Sequence, residues 1–415
     1  MQADSIVLGA GIVGVSVAVH LQMRGRSVLL LDRRGAGEET SFGNAGLIQS
    51  EGVMPHGFPQ GLGALLRYAR NDRIDMHYHL TALPRIAPFL ARYWWHSRLD
   101  AYRSIGRAYA PLIATSIDEH ADLIRRAGAE ALIEKAGWYR AFRTDAELEA
   151  ATAEAEWVQR EFGVRHARLD RTEMIGREPG LAPVFAGALH WTDPWSIRDP
   201  GALVVAYRRL FESLGGTVIT GDAMQLSAGT TGWRLPVSGG TLEAREAVIA
   251  LGPWAGDLTQ RLGYRLPLGV KRGYHMHFAQ PEDAPLRHWV LDAERGYMLA
   301  PVERGIRLTS GAEFALRDAP STPIQIDRAE VAARELFPAL GARSDPAPWR
   351  GARPCTPDMM PIIGAAPNHE KLWFAFGHAH HGMTLGPSTG RLIAEMVTGE
   401  TPFIDASAYS PARFG

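Results

Sequence analysis

Gly9-Ala10-Gly11-Ile12-Val13-Gly14 stands directly behind a short apolar run, Ile6–Leu8, and opens a stretch with helical patterning from about Val13 to Arg24. A second apolar run, Val28–Leu31, follows and closes on Asp32. Runs of this length read as buried strands and the stretch between them as a helix, so the N-terminus is expected to be a β–α–β unit. In a G-x-G-x-x-G turn the first glycine permits the tight bend. The second lets a pyrophosphate reach the backbone, and the third lets helix and strand close on each other. The helix start adds unpaired N–H groups and a partial positive charge for the phosphates. Asp32 is placed to accept hydrogen bonds from ribose hydroxyls. Gly9, Gly11, Ile12, Val13, Gly14, Asp32 and the adjacent Arg33 are therefore cofactor-binding candidates. Arg33 and Arg34 would suit a 2′-phosphate, but the acid at the strand end argues against one. The motif by itself does not separate NAD from FAD.

Around this unit lie 415 residues, 46% hydrophobic and 21% charged, enough apolar material for a large core and two or three domains. Forty-four Lys and Arg balance forty-five Asp and Glu, which leaves no global field to attract nucleic acid. The single cysteine, Cys355, excludes an internal disulfide and any multi-cysteine metal or iron–sulfur site. Ile6–Leu21, the most apolar stretch, is short for a bilayer and broken by glycines and His20. No basic residue precedes it, as one would in a signal peptide. A cytoplasmic protein is expected; Trp94 and Trp95 would suit a membrane surface, but a packed aromatic helix is the favoured reading.

Residues 40–63 are rich in glycine and read as irregular. Helical patterning runs from Leu62 to Ala136, again over Asp145–Phe162 behind Thr144 as N-cap, and again over Ala202–Leu214. Strand patterning follows at Thr217–Thr220, Ala247–Leu251, Tyr274–Phe278, Tyr297–Pro301 and Gly305–Ser310. The chain ends with a strand at Leu372–Ala375, a glycine-rich loop, and a helix from about Ser388 to Thr398. The expectation is an α/β protein. A discontinuous Rossmann-like domain (residues 1–61, 163–262 and 346–415) carries an inserted α+β substrate domain with an antiparallel sheet (residues 62–162 and 263–345).

Two segments favour FAD over NAD. Glu39–Leu47 offers small residues and an amide-bearing loop just past the ribose acid, which adds Thr40, Ser41, Asn44, Ala45, Gly46 and Leu47 to the candidates. Gly377–Thr384 lies between a strand and a helix, where backbone N–H groups can face the negative pyrimidine edge of a flavin. It contributes Gly377, His381, Gly382, Met383 and Thr384.

With these motifs in hand, the chain resembles the glycine oxidase/D-amino-acid oxidase superfamily of FAD enzymes, nearest its bacterial D-amino-acid dehydrogenase branch. The carriers are GAGIVG with Asp32, TSFGNAG at 40–46, RDPGAL at 198–203, ALGPWAG at 250–256, WRGARPCTPDMMPIIG at 349–364 and GHAHHGMTLGPSTG at 377–390. The resemblance implies FAD contacts at Ala223, Met224, Gly252 and Trp254. It also implies that Arg353, in the G-x-R-P motif, binds the substrate carboxylate, for which a planar guanidinium fork is well suited. By the same resemblance Tyr297 would offer its hydroxyl to that carboxylate, and His380 stands where glycine oxidase has a substrate-facing Arg. The bland alternatives are an interface ion pair for Arg353, a core tyrosine and a structural histidine. His378, His380 and His381 lack neighbouring carboxylate ligands, so no metal is expected. Lys271 reads as solvated or ion-paired. Sarcosine oxidases attach FAD to a cysteine whose place matches Gly351, so FAD is expected to be noncovalent and Cys355 a buried small hydrophobe.

The implied activity is oxidative deamination of D-amino or D-imino acids, D-proline and hydroxyproline among them. Electrons would pass to a quinone, a dye or oxygen, with peripheral contact to a membrane electron carrier. The competing readings are a sarcosine- or glycine-type oxidase and a noncatalytic flavin-binding subunit. A subunit of that kind would need no carboxylate clamp.

Overall fold

The computed structural model describes residues 1–230 and 232–414, so Gly415, the end of the expected C-terminal segment, lies outside the described residues. The N-terminal unit forms as its pattern requires. Strands Gln2–Leu8 and Val28–Asp32 run parallel, joined by the helix Ile12–Met23. Leu29–Leu31 and Ile6–Leu8 are covered on both faces, which is why they read as unbroken apolar runs rather than alternating ones. Thr217–Thr220 extends this sheet on one side and Gly240–Ile249 on the other. The latter strand does two jobs. Its first half makes an antiparallel hairpin with Trp233–Val237, and its second half runs parallel to Leu372–Phe376.

The C-terminal helix, Gly382–Thr398, begins six residues before the expected Ser388. Pro387 hid this start, because a proline inside a helix leaves the carbonyl four residues back without its donor. That carbonyl belongs to Met383 and is taken instead by His120 Nε2 at 2.8 Å. The helix lies directly on Ile12–Met23. A Cβ at Gly386 would come within 2.7 Å of Ile12, and one at Gly390 within 2.6 Å of the Ser16 backbone.

A ten-stranded sheet forms the second layer. Its centre pairs Gly269–Phe278 antiparallel with both Gly305–Thr309 and Trp349–Cys355. One face packs Tyr274, Met276, Phe278, Tyr297 and Leu299 under the helix Ile324–Leu336. The other face looks towards the nucleotide sheet.

Two expectations about the layout are corrected. His166–Asp170 and Gly187–Trp191, placed by sequence in the nucleotide domain, are strands of the second sheet. The helices Leu99–Ala114 and Ser116–Ala127, placed in the substrate domain, share the core of the C-terminal helix through Leu112, Ile113 and Leu123. Trp94 and Trp95 are not packed either. On the helix Leu83–His96, Tyr93 faces inward, and the 100° step per residue turns Trp94 and Trp95 outward, 38% and 53% exposed.

Candidate active site

A cavity of about 840 Å³ runs between the two sheets. At one end the glycine turn is shaped by close approach. A Cβ on Gly14 would sit 1.8 Å from the Gly9 carbonyl oxygen, and Gly9 itself holds φ +105° against Ala250. Gly11 faces the open space, where only Ser41 Oγ (3.2 Å from a built Cβ) comes near. Asp32 Oδ2 accepts the Ala10 N–H (2.7 Å) and Oδ1 the Arg34 N–H (3.1 Å), so this carboxylate also pins the turn it was expected to serve. Arg33 lies over the Trp254 ring, 4.1 Å from its centroid, and both line the cavity beside Ala223, Met224 and Gly252. The bare Gly11 face, the helix start behind it and the acid beside it form a cradle that a dinucleotide phosphate and ribose fit.

Further along, the 40–47 loop is held from outside. Ser41 Oγ accepts the Ile12 N–H (3.0 Å), Thr40 Oγ1 donates to Ala352 O (2.9 Å), and Trp289 Nε1 donates to Ala45 O (2.7 Å). Arg307 donates to the carbonyls of Phe42 and Asn44, and through Nε to His277 Nε2 (3.0 Å). His277 Nδ1 in turn meets Asp345 at 2.6 Å. This Asp345–His277–Arg307 chain was not found from sequence, because its members are far from the loop along the chain. With the carbonyls turned away, planar trans peptides direct the following N–H groups of Gly43 and Ala45 the opposite way. Ser41, Asn44, Ala45 and Leu47 line the cavity with Thr40, as do Ile12, Val13, Gly382 and Met383. The N-terminus of the 17-residue C-terminal helix therefore opens onto it and brings a partial positive charge.

Gly14, Gly46, Gly377, His381 and Thr384 stand outside the cavity wall. Gly14 and Gly46 serve packing, Gly46 at φ +82° against Ile197 O. Gly377 turns the chain at φ +83° beside Thr356. His381 is turned into the core, its Nδ1 bonded to the Tyr109 hydroxyl at 3.0 Å, and Thr384 Oγ1 accepts the Gln49 N–H at 3.0 Å. His378 bonds Thr389 Oγ1 at 2.9 Å, so the three imidazoles of this segment diverge.

The opposite end of the cavity is cationic. Lys271 and Arg353 are directly opposed on antiparallel strands and so project to the same face. Among the described residues neither has a carboxylate partner. Gly273 makes the bed for the guanidinium, since a Cβ there would lie 2.5 Å from Arg353 Nη1. Arg353 Nη1 donates only to Arg272 O, at 3.3 Å. Lys271 is buried rather than solvated. Its Nζ donates to the Tyr93 hydroxyl (2.6 Å) and lies 4.0 Å from that ring's centroid, while Tyr93 donates to His56 O (2.5 Å). Burial draws the Lys271 ammonium down to about 8 and also lowers Arg353. His56 and His380 meet edge to face at 4.4 Å. Burial, then the neighbouring histidines and cations, drives both down, His56 to about 3, so both are neutral at physiological pH.

Tyr297 is misplaced for the role the resemblance implied. Although it contributes to the cavity wall, its hydroxyl donates to Ala332 O at 3.0 Å, on the helix behind the sheet. Met298 occupies the cavity side of that strand instead. Tyr297→Phe is accordingly expected to leave KM unchanged and to cost about 1 kcal/mol of stability, measured by urea unfolding. A many-fold rise in KM would restore the carboxylate role.

Behind the cavity-lining Trp138, Glu51 Oε1 accepts from Trp138 Nε1 and Gln49 Nε2, each at 3.0 Å, and Oε2 is buried without a partner. Burial pushes this carboxyl up to about 7. Stability from a raised carboxyl is complete below its ordinary pKa of 4.5 and lost as pH rises through about 7. The Glu51→Gln variant should therefore gain on the wild type by about 1–3 kcal/mol between about pH 5 and pH 8. A difference that stays constant over that range would refute the raised carboxyl.

Comparison with known proteins agrees with this architecture. The family model described as DAO, FAD dependent oxidoreductase, matches residues 4–396. A D-amino-acid oxidase of Bradyrhizobium diazoefficiens is 30% identical over 98% of both chains. A D-amino acid dehydrogenase of Chromohalobacter salexigens is 29% identical over 99% of both. Among solved structures, glycine oxidase from Geobacillus kaustophilus superposes with a TM-score of 0.75 at 22% identity, covering 99% of each chain. L-proline dehydrogenase from P. horikoshii gives 0.73 at 18%, covering 100% of this chain and 98% of the other.

Proposed function

We propose, from the premise that this chain belongs to the DAO family of FAD-dependent oxidoreductases, that it oxidises D-amino or D-imino acids with apolar or cyclic side chains. The observation that carries the reading is the pair of buried cations, Arg353 and Lys271, that have no carboxylate partner among the described residues, in an enclosed wall. Two buried positive charges without an acid are costly unless an anion completes them, and a substrate carboxylate is of the right charge and shape. Arg353 would grip it as a fork, with Lys271 reinforcing the local potential through its seat on Tyr93. Phe58, Met76, Tyr93, Met298 and Phe314 line the same end and favour an apolar side chain. His56 and His380, held neutral, offer imidazole nitrogens that can accept a hydrogen bond from the substrate amine, while the buried cations beside them disfavour its ammonium form and so favour the neutral amine that is oxidised. FAD, when bound, accepts the substrate Cα hydrogen as a hydride. The resulting imine would hydrolyse in water to the 2-oxo acid, or stay cyclic when the substrate is an imino acid.

Support for the D configuration comes from the names of the relatives above. The test is anaerobic bleaching of the bound flavin by D-alanine, D-proline and their L enantiomers. Bleaching by D forms is expected, and bleaching by L forms alone would overturn the reading. Readmitting air separates the acceptors: reoxidation much slower than dye-coupled turnover supports a dehydrogenase passing electrons to a quinone. The FAD is held noncovalently in this reading, because Cys355 is fully buried beside Tyr93, Phe314 and Met359. Acid precipitation should leave the yellow colour in the supernatant.

A further inference from the structure

The helix Leu83–His96 presents two unlike faces. Its inner face packs Phe89 against the cluster of Tyr93, Phe314 and Cys355 and sets Tyr93 in the wall of the substrate end of the cavity, where the Tyr93 hydroxyl meets Lys271. Its outer face, counted from the preceding turn, carries Leu80, Pro84, Ala87, Pro88, Ala91 and Trp95, all exposed. These positions recur at helical spacing and form one stripe. Leu80 is 71% exposed, Trp95 53%, and Leu99, which starts the next helix, 61%. A surface helix ordinarily turns its apolar stripe to the core, and a contiguous apolar patch in water marks a surface of interaction.

Charge identifies what that surface meets. Arg85, Arg92 and Arg98 flank the stripe, and no Asp or Glu occurs between Asp75 and Asp100. Arg73 and Arg107, further out, have ion-pair partners in Asp75 (3.8 Å) and Glu161 (2.6 Å). Arg85, Arg92 and Arg98 have none among the described residues. The Arg98 guanidinium instead lies 3.3 Å from the centroid of the Trp95 ring. Over residues 62–107 eight arginines stand against three aspartates, in a chain whose net charge is −1. Apolar and aromatic residues along one line, with unpaired arginines on its margins, are the make-up of a helix lying in a lipid interface. There the long basic side chains reach up to phosphates while the stripe enters the acyl boundary. No helix among the described residues is long and apolar enough to cross a membrane.

We infer that the outer face of Leu83–His96, with Leu80 and Leu99, docks on an anionic lipid bilayer. The helix is then a thin partition, with bilayer on one side and the substrate end of the cavity on the other. A lipid-soluble electron acceptor would reach the protein beside the site it serves. Only this last consequence rests on the function proposed above; the docking itself rests on the face.

The test uses the FAD-loaded full chain in flotation with vesicles of phosphatidylcholine alone or mixed with phosphatidylglycerol. Binding to the mixed vesicles is expected, weakening as salt is raised. Trp95→Asp, Leu80→Asp and the double variant Arg85→Glu/Arg92→Glu should each lower the partition constant about tenfold or more, with flavin content unchanged. Wild-type protein that fails to float with the mixed vesicles overturns the inference, as do variants that float as well as it does. So does a dimer in light scattering that Trp95→Asp converts to monomer without any vesicle binding, since the face would then be a self-interface. Vesicle binding with no bleaching by any amino acid would leave the docking standing and remove the proposed activity.

Discussion

Arg353→Lys is expected to lower kcat/KM by roughly two to three orders of magnitude, in line with about 2–5 kcal/mol for disrupting one partner of a buried, hydrogen-bonded charge pair. The charge is retained in this variant, so the loss reports geometry. A lysine cannot present two parallel donors to a carboxylate, and its shorter head withdraws from the bed that Gly273 leaves open, where a Cβ would meet Arg353 Nη1 at 2.5 Å. Lys271 already supplies a point charge on the opposed strand, so a second one adds potential without orientation. Steady-state kinetics with D-alanine or D-proline would check this, with flavin content confirming that the cofactor site is intact. Turnover within a few-fold of wild type would mean that the carboxylate sits elsewhere.

The second large effect belongs to the other end of the cavity. Gly14→Ala would place a methyl 1.8 Å from the Gly9 carbonyl oxygen and 2.9 Å from its carbon, both backbone atoms that no rotamer change can move. Either the helix Ile12–Met23 or the glycine turn must shift. The helix has little freedom, because Gly386 and Gly390 hold the C-terminal helix directly against it. A cost of about 3 kcal/mol or more is expected, falling first on FAD affinity. The purified variant should be colourless, with a Kd for FAD raised at least about a hundredfold, since each 1.4 kcal/mol is tenfold. Gly176→Ala is the control: its Cβ would meet nothing within 4 Å, so yellow protein of wild-type stability is expected. An equally yellow Gly14→Ala protein would show that the turn relaxes more readily than its contacts allow.

What could be read from the sequence follows from the range of the interactions involved. The glycine turn and Asp32 work through the backbone of a contiguous stretch, and their pattern therefore carries its own meaning. The helix Asp145–Phe162 was legible because its cap is local: Thr144 accepts the Glu147 N–H at 3.4 Å. Tyr297 shows the limit. Successive residues of a strand face opposite ways, so a motif can locate the strand and still miss the side by one residue. Here Tyr297 goes to the helix behind the sheet and Met298 to the cavity. Lys271 reads as solvated or ion-paired because the ring that seats it, Tyr93, lies 178 positions away. Arg307 reaches Asn44 across 263 positions and His277 across 30, and no local pattern announces either contact. Trp94 and Trp95 were misread for a different reason. Aromatic residues signal burial on average, and an outward-facing pair is visible only once the inward position of Tyr93 is known.

The contact between the first and last long helices has a bearing on how the molecule comes into being. Ile12–Met23 and Gly382–Thr398 touch through Gly386 and Gly390, and Leu372–Phe376 completes the sheet beside Gly240–Ile249. A ribosome releases the glycine turn and Asp32 long before the opposing wall, which comes from Leu372–Phe376 and Gly382–Thr398. Throughout that interval the nascent dinucleotide unit has one flank of its helix and one edge of its sheet uncovered, an exposure that invites aggregation. Cofactor loading is thereby deferred until the helix Gly382–Thr398 has emerged, and ribosomes stalled before residue 382 should carry chains that retain no FAD.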